Sequence, residues 1–169
     1  MGRRAKAIDR IERRIATLEN RPGLCLYYAH HTVSVLWQAG YKAVIQAGSF
    51  SWPRMLREHD DGIVDTHFSY EWSPHDPASA LSVAFGNLPE IHVWVGLVEE
   101  QEIVDFTTRH IKAAAVAMNL PWTNSAPPRY LWTPTQQLPD WVSYRPDPQA
   151  TIYACTLLKR LFNPAYLKR

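Results

Sequence analysis

Ile91-His92-Val93-Trp94-Val95-Gly96-Leu97-Val98-Glu99-Glu100-Gln101-Glu102-Ile103-Val104-Asp105-Phe106-Thr107 is the stretch on which the fold turns. Its two halves, 90–98 and 102–106, read as strands joined by a tight acidic turn. In the first strand His92, Trp94 and Gly96 share one face, while Ile91, Val93, Val95 and Leu97 share the other. The apolar face is expected to pack on a core and the opposite face to present His92 beside an aromatic shield. Aspartate is disfavoured within strands, so Asp105 needs a reason. A two-residue turn at Glu99-Glu100 sets Trp94 opposite Asp105 and His92 opposite Thr107. His92 and Asp105 then become diagonal neighbours on one face, about 7 Å apart at the backbone and within side-chain reach. A three-residue turn separates them onto opposite faces.

Upstream, Asn20-Arg21-Pro22-Gly23 breaks a first amphipathic helix, 3–19, whose stripe is Ile8, Ile11, Ile15 and Leu18. Arg3, Arg4, Lys6, Arg10, Arg13 and Arg14 lie mostly off that stripe and read as a solvated basic face. A second helix starts at about Leu24 or Cys25 and runs to Ala39, stopped by Gly40. Cys25 thus falls in a first helical turn, where unpaired N–H groups and the helix dipole favour a thiolate and can receive an oxyanion. Together the three residues form a nucleophile with its partners. Cys25 attacks, His92 takes and returns the proton, and Asp105 orients the imidazole.

These residues resemble the transglutaminase-like (papain-like) superfamily. The pattern is carried by Gly23-Leu24-Cys25-Leu26-Tyr27-Tyr28-Ala29, by the helix ending Leu36-Trp37-Gln38-Ala39-Gly40, by His92-Val93-Trp94-Val95 and by Val104-Asp105-Phe106-Thr107. The resemblance covers about residues 20–110 and extends to the leader-cleaving proteases of lasso-peptide maturation. It implies an α+β fold in which the Cys-bearing helix packs on an antiparallel sheet of about four strands. It implies thiol-dependent acyl transfer: hydrolysis of a peptide or protein amide, or transfer of the acyl group to an amine. The chain departs from the pattern where papain-like enzymes often place a side-chain amide, a few residues before the cysteine, to complete the oxyanion hole: it has Glu19-Asn20-Arg21 there, with Asn20 as the candidate, and Leu26 and Trp94 are the candidate substrate contacts. A non-catalytic binding module on the same fold is the alternative.

The remaining chain frames that core. Strands are expected at 42–50 and 66–72, a loop or short helix at 73–87, a helix at 108–118 and a final helix at about 147–161. Pro121, Pro127, Pro128, Pro134, Pro139, Pro146 and Pro148 make the 120–148 stretch an irregular wrap, with a short strand possible at 129–133. The 169 residues suit one domain, with 46% hydrophobic residues to fill it and a net charge of +2 that argues against nucleic acid as partner. Two cysteines, Cys25 and Cys155, are too few for a disulfide framework, and Cys155 reads as core. No signal sequence or apolar run long enough for a membrane is read, so the expected setting is the cytoplasm, without membrane partner or cofactor. His30-His31 on the second helix, with His67 and Glu71 on one strand face, lack any zinc-ligand spacing, so no metal is expected. His67 is a rival base for Cys25. Trp52, Trp72, Trp94 and Trp122 are candidates to line an acyl cleft.

Overall fold

The computed structural model describes residues 2–18, 24–55, 67–85 and 90–162. Among the described residues five α-helices and six strands form an α+β arrangement. The elements are α1 (Arg3–Ile15), α2 (Cys25–Gln38), β1 (Ala43–Pro53), β2 (His67–Tyr70), α3 (Pro77–Ala84), β3 (His92–Leu97), β4 (Glu102–Asp105), α4 (Ile111–Ala117), β5 (Leu131–Pro134), β6 (Ser143–Pro146) and α5 (Pro148–Phe162). Two helices start at an Asp-Pro pair: Asp76 accepts the Ser79 N–H at 2.8 Å and Asp147 the Ala150 N–H at 2.9 Å. In each, the carboxylate satisfies a first-turn donor and the proline occupies a position needing no N–H. None of the helices among the described residues is long and apolar enough to cross a membrane.

The sheet is antiparallel and curled, in the order β2-β1-β3-β4-β5, with β6 also on β1. It has six strands where about four were expected. The additional ones are β5, two residues later than the stretch marked for it, and β6, which lies in the proline-rich wrap. β1 ends three residues later than expected, reaching Pro53. It needs that length because it changes partner along one edge. Residues 43–48 pair with β3, and residues 48–51 pair with β6. β2 occupies the other edge, facing residues 50–53. Gly48 is the hand-over point, opposite both His92 and Pro146. A β-carbon there would stand 2.1 Å from the Arg145 carbonyl oxygen, so only glycine admits β6 at this depth.

The β3–β4 register is that of the two-residue turn: Val95 faces Val104, Gly96 faces Ile103 and Leu97 faces Glu102. Parity then sorts the side chains into two cores. Val93, Val95, Leu97, Val104 and Trp132 join α1, α2 and α5 on one face. Phe50, Phe68, Trp94, Ile103, Ile111, Ala115, Val142 and Tyr144 form the second. Every residue of β3 is buried. The face carrying His92 is therefore closed, not presented, because α4 and the segment around Val142 and Tyr144 fold over it.

The α1 arginines are also more engaged than a solvated face. Arg3 donates to the Ala39 carbonyl at 2.9 Å and lies 3.7 Å above the Tyr41 ring, covering the C-terminal end of α2. Arg4 donates to the Trp132 carbonyl, and Arg10 reaches Gln38 at 2.6 Å. Ala7, Ile11 and Ile15 are the residues α1 buries fully.

Candidate functional site

α2 begins at Cys25, its N-cap Leu24 offering no side-chain bond. The first intrahelical bond there runs from the Tyr28 N–H to the Leu24 carbonyl at 3.0 Å. The N–H groups of Cys25, Leu26 and Tyr27 precede it and lack helical acceptors. Cys25 is 8% exposed and Leu26 4%. Both cysteines are free, and burial raises the Cys155 thiol pKa.

His92 opens β3 and Asp105 closes β4, and both are 2% exposed. Nε2 of His92 donates to Asp105 Oδ2 at 2.7 Å. The carboxylate takes three further donors. The Thr107 N–H and hydroxyl reach Oδ1 at 2.7 and 2.6 Å, and the Tyr144 hydroxyl reaches Oδ2 at 2.8 Å. A buried anion with four charge-assisted hydrogen bonds is well compensated. Burial alone would raise its pKa, but the His92 charge and the bonds from His92 and Thr107 hold it below the usual carboxylate value.

The other imidazole nitrogen, Nδ1, is buried without a partner in strict hydrogen-bond geometry. The Cys25 thiol acts on the ring through hydrogen bonding and charge, each favouring the protonated form. Burial opposes protonation of His92. The Asp105 charge and bond, with the smaller contribution of Cys25, outweigh it and raise the imidazole pKa above its ordinary value. Nε2–H is held on the carboxylate, which leaves Nδ1 as the ring nitrogen without a strict hydrogen-bond partner among the described residues.

Aromatic rings hold the imidazole in place. Phe50 lies 4.5 Å from it, centroid to centroid, and Tyr70, Trp94 and Tyr144 each lie 6.0 Å away. Trp94 is 1% exposed and donates from its indole to Gln46 Oε1 at 2.8 Å, so it is a buried wall beside His92, away from any open surface. The other tryptophans do not gather in one acyl cleft. Trp52 borders a cavity of about 720 Å³ with His67 and Trp141. Trp72 borders a separate one of about 470 Å³ between α3 and α5. Trp122 packs against the second core. Asn20 lies outside the described residues.

His67 stands across from Pro53 at the far end of β2, and Glu71 pairs with Arg145 at 2.9 Å. His30 stacks on Phe162 at 3.8 Å. Among the described residues no group of three His, Cys, Asp or Glu side chains has the grouping of a metal site. Tyr144 was not found by reading the sequence: it lies in a four-residue strand between prolines, 39 positions from the carboxylate it bonds. Thr107 did carry a signal, the Val-Asp-x-Thr spacing.

Fold and site together define an α+β protein with a curled antiparallel sheet, a helix-tip cysteine and a buried imidazole–carboxylate pair. No family model, curated protein or solved structure matches this chain.

Proposed function

We propose that this chain is a thiol-dependent acyl-transfer enzyme of the transglutaminase-like (papain-like) kind, acting through Cys25, His92 and Asp105. The observation that carries this reading is the 2.7 Å bond from His92 to Asp105, with the opposite ring nitrogen left for the thiol. Nδ1 takes the Cys25 proton, and the imidazolium formed is stabilised by the buried carboxylate. The sulfur attacks an acyl carbon while the first-turn N–H groups of α2 receive the developing oxyanion. His92 returns the proton to the departing amine, leaving a thioester on Cys25. Water activated by the same imidazole then hydrolyses it. We take hydrolysis of a peptide or protein amide as the leading reaction, because water is always at hand, with transfer to an amine second. The chemistry needs a free thiol, which fits a reducing compartment such as the cytoplasm.

Competitive labelling tests the proposal. With limiting iodoacetamide at pH 6–7, Cys25 is expected to alkylate much faster than Cys155. A Cys25→Ala variant is expected to fold and to lose any amidase or esterase activity. Equal, slow labelling of both cysteines favours a binding module instead.

A further inference from the structure

We propose that Tyr70 is a further catalytic residue, its hydroxyl donating a hydrogen bond to the oxyanion formed when Cys25 attacks an acyl group. This rests on the acyl-transfer reading above and assigns a residue within that site.

The placement follows from β2. Tyr70 is the last residue of that strand, opposite Phe50, whose ring is 4.5 Å from His92. The Tyr70 ring lies parallel to the imidazole, with an interplanar angle of 3° and centroids 6.0 Å apart. Phe68 buttresses it edge-on at 5.1 Å. Three rings therefore fix the phenol beside the base. Three other tyrosines have an acceptor or partner for the hydroxyl: Tyr144 has Asp105, Tyr28 has His110 and Tyr153 has the Val83 carbonyl. Tyr70 makes no such bond among the described residues, and its oxygen is not sealed in the core. A phenol on an apolar platform needs an acceptor, and none of the described residues provides one. In the acyl complex that acceptor is the carbonyl oxygen.

The ionisation state suits a donor. Burial, then the neighbouring Cys25 charge and that of Glu90, push the Tyr70 pKa up to about 12, so the O–H is intact at neutral pH. The step balances simply. The C–S bond forms as the carbonyl π pair moves to oxygen, and Tyr70 donates a hydrogen bond without giving up its proton. Collapse restores C=O and expels the leaving group.

Tyr70→Phe keeps the ring stack and removes only the hydroxyl. Two reactions of Cys25 separate its roles: acetylation by p-nitrophenyl acetate, which passes through an oxyanion, and alkylation by iodoacetamide, which does not. The variant is expected to lose about 10²-fold in acetylation while alkylation stays within about twofold. Unchanged acetylation overturns the assignment, as does an equal fall in both rates, which would make Tyr70 a support for the thiol alone. If the unmodified chain is alkylated but never acetylated at Cys25, the acyl-transfer reading fails first and this proposal falls with it.

Discussion

Replacing Asp105 by asparagine isolates the central pair. The carboxylate is 2% exposed and accepts from His92, Tyr144 and twice from Thr107. Asparagine has nearly the same shape but no charge, and it must turn an NH₂ toward at least one existing donor. His92 then keeps its burial without its counter-charge. Breaking a buried charge pair in this way costs about 3–5 kcal/mol, a large share of the roughly 5–15 kcal/mol that holds a domain together. With a urea slope of about 1–3 kcal/mol per M, the unfolding midpoint should fall by about 1 M or more. Adding His92→Gln removes the stranded base, so the double variant is expected to lose less than the sum of the singles. A midpoint shift below about 0.3 M for Asp105→Asn, which at that slope is under about 1 kcal/mol, would refute the charge-pair account.

The pH dependence of stability has a defined window. The folded pKa of Asp105 is lowered, so its contribution is present above the ordinary 3.8 and lost as pH falls through the folded value. The folded pKa of His92 is raised, so its contribution is complete below 6.5 and lost as pH rises through the folded value. Urea midpoints should therefore be highest between 3.8 and 6.5 and decline on both sides, with both declines flattened in Asp105→Asn. Gly48→Ala sets a β-carbon 2.1 Å from the Arg145 carbonyl oxygen, and should destabilise by about 2 kcal/mol or more and loosen β6, read as faster amide exchange over 143–146; unchanged exchange contradicts the hand-over described for β1.

The pairing of His92 with Asp105 was legible because strand parity is unforgiving. The alternation of Ile91, Val93, Val95 and Leu97 marks one buried face, and the turn at Glu99-Glu100 then places Asp105 on the same face as His92. The closure of that face was not legible. It depends on Tyr144 and Val142 arriving from a proline-rich stretch whose four-residue strand is too short to show a period. Aromatic content misled for a related reason. Trp94 reads as a cleft residue until Gln46, 48 positions away, is seen to satisfy its indole. Likewise Arg3 looks like surface charge until the end of α2 is found beside it, 36 positions along the chain. In each case the deciding partner is remote in sequence, and periodicity carries only local information.

The coupling of sulfur to imidazole is tested most directly by following the His92 ring nitrogens by NMR across pH, in the unchanged chain and in Cys25→Ala. Removing Cys25 is expected to move the His92 titration to lower pH while leaving Nε2–H on Asp105. Superimposable titrations would mean that the thiol does not act on the ring and would contradict the account.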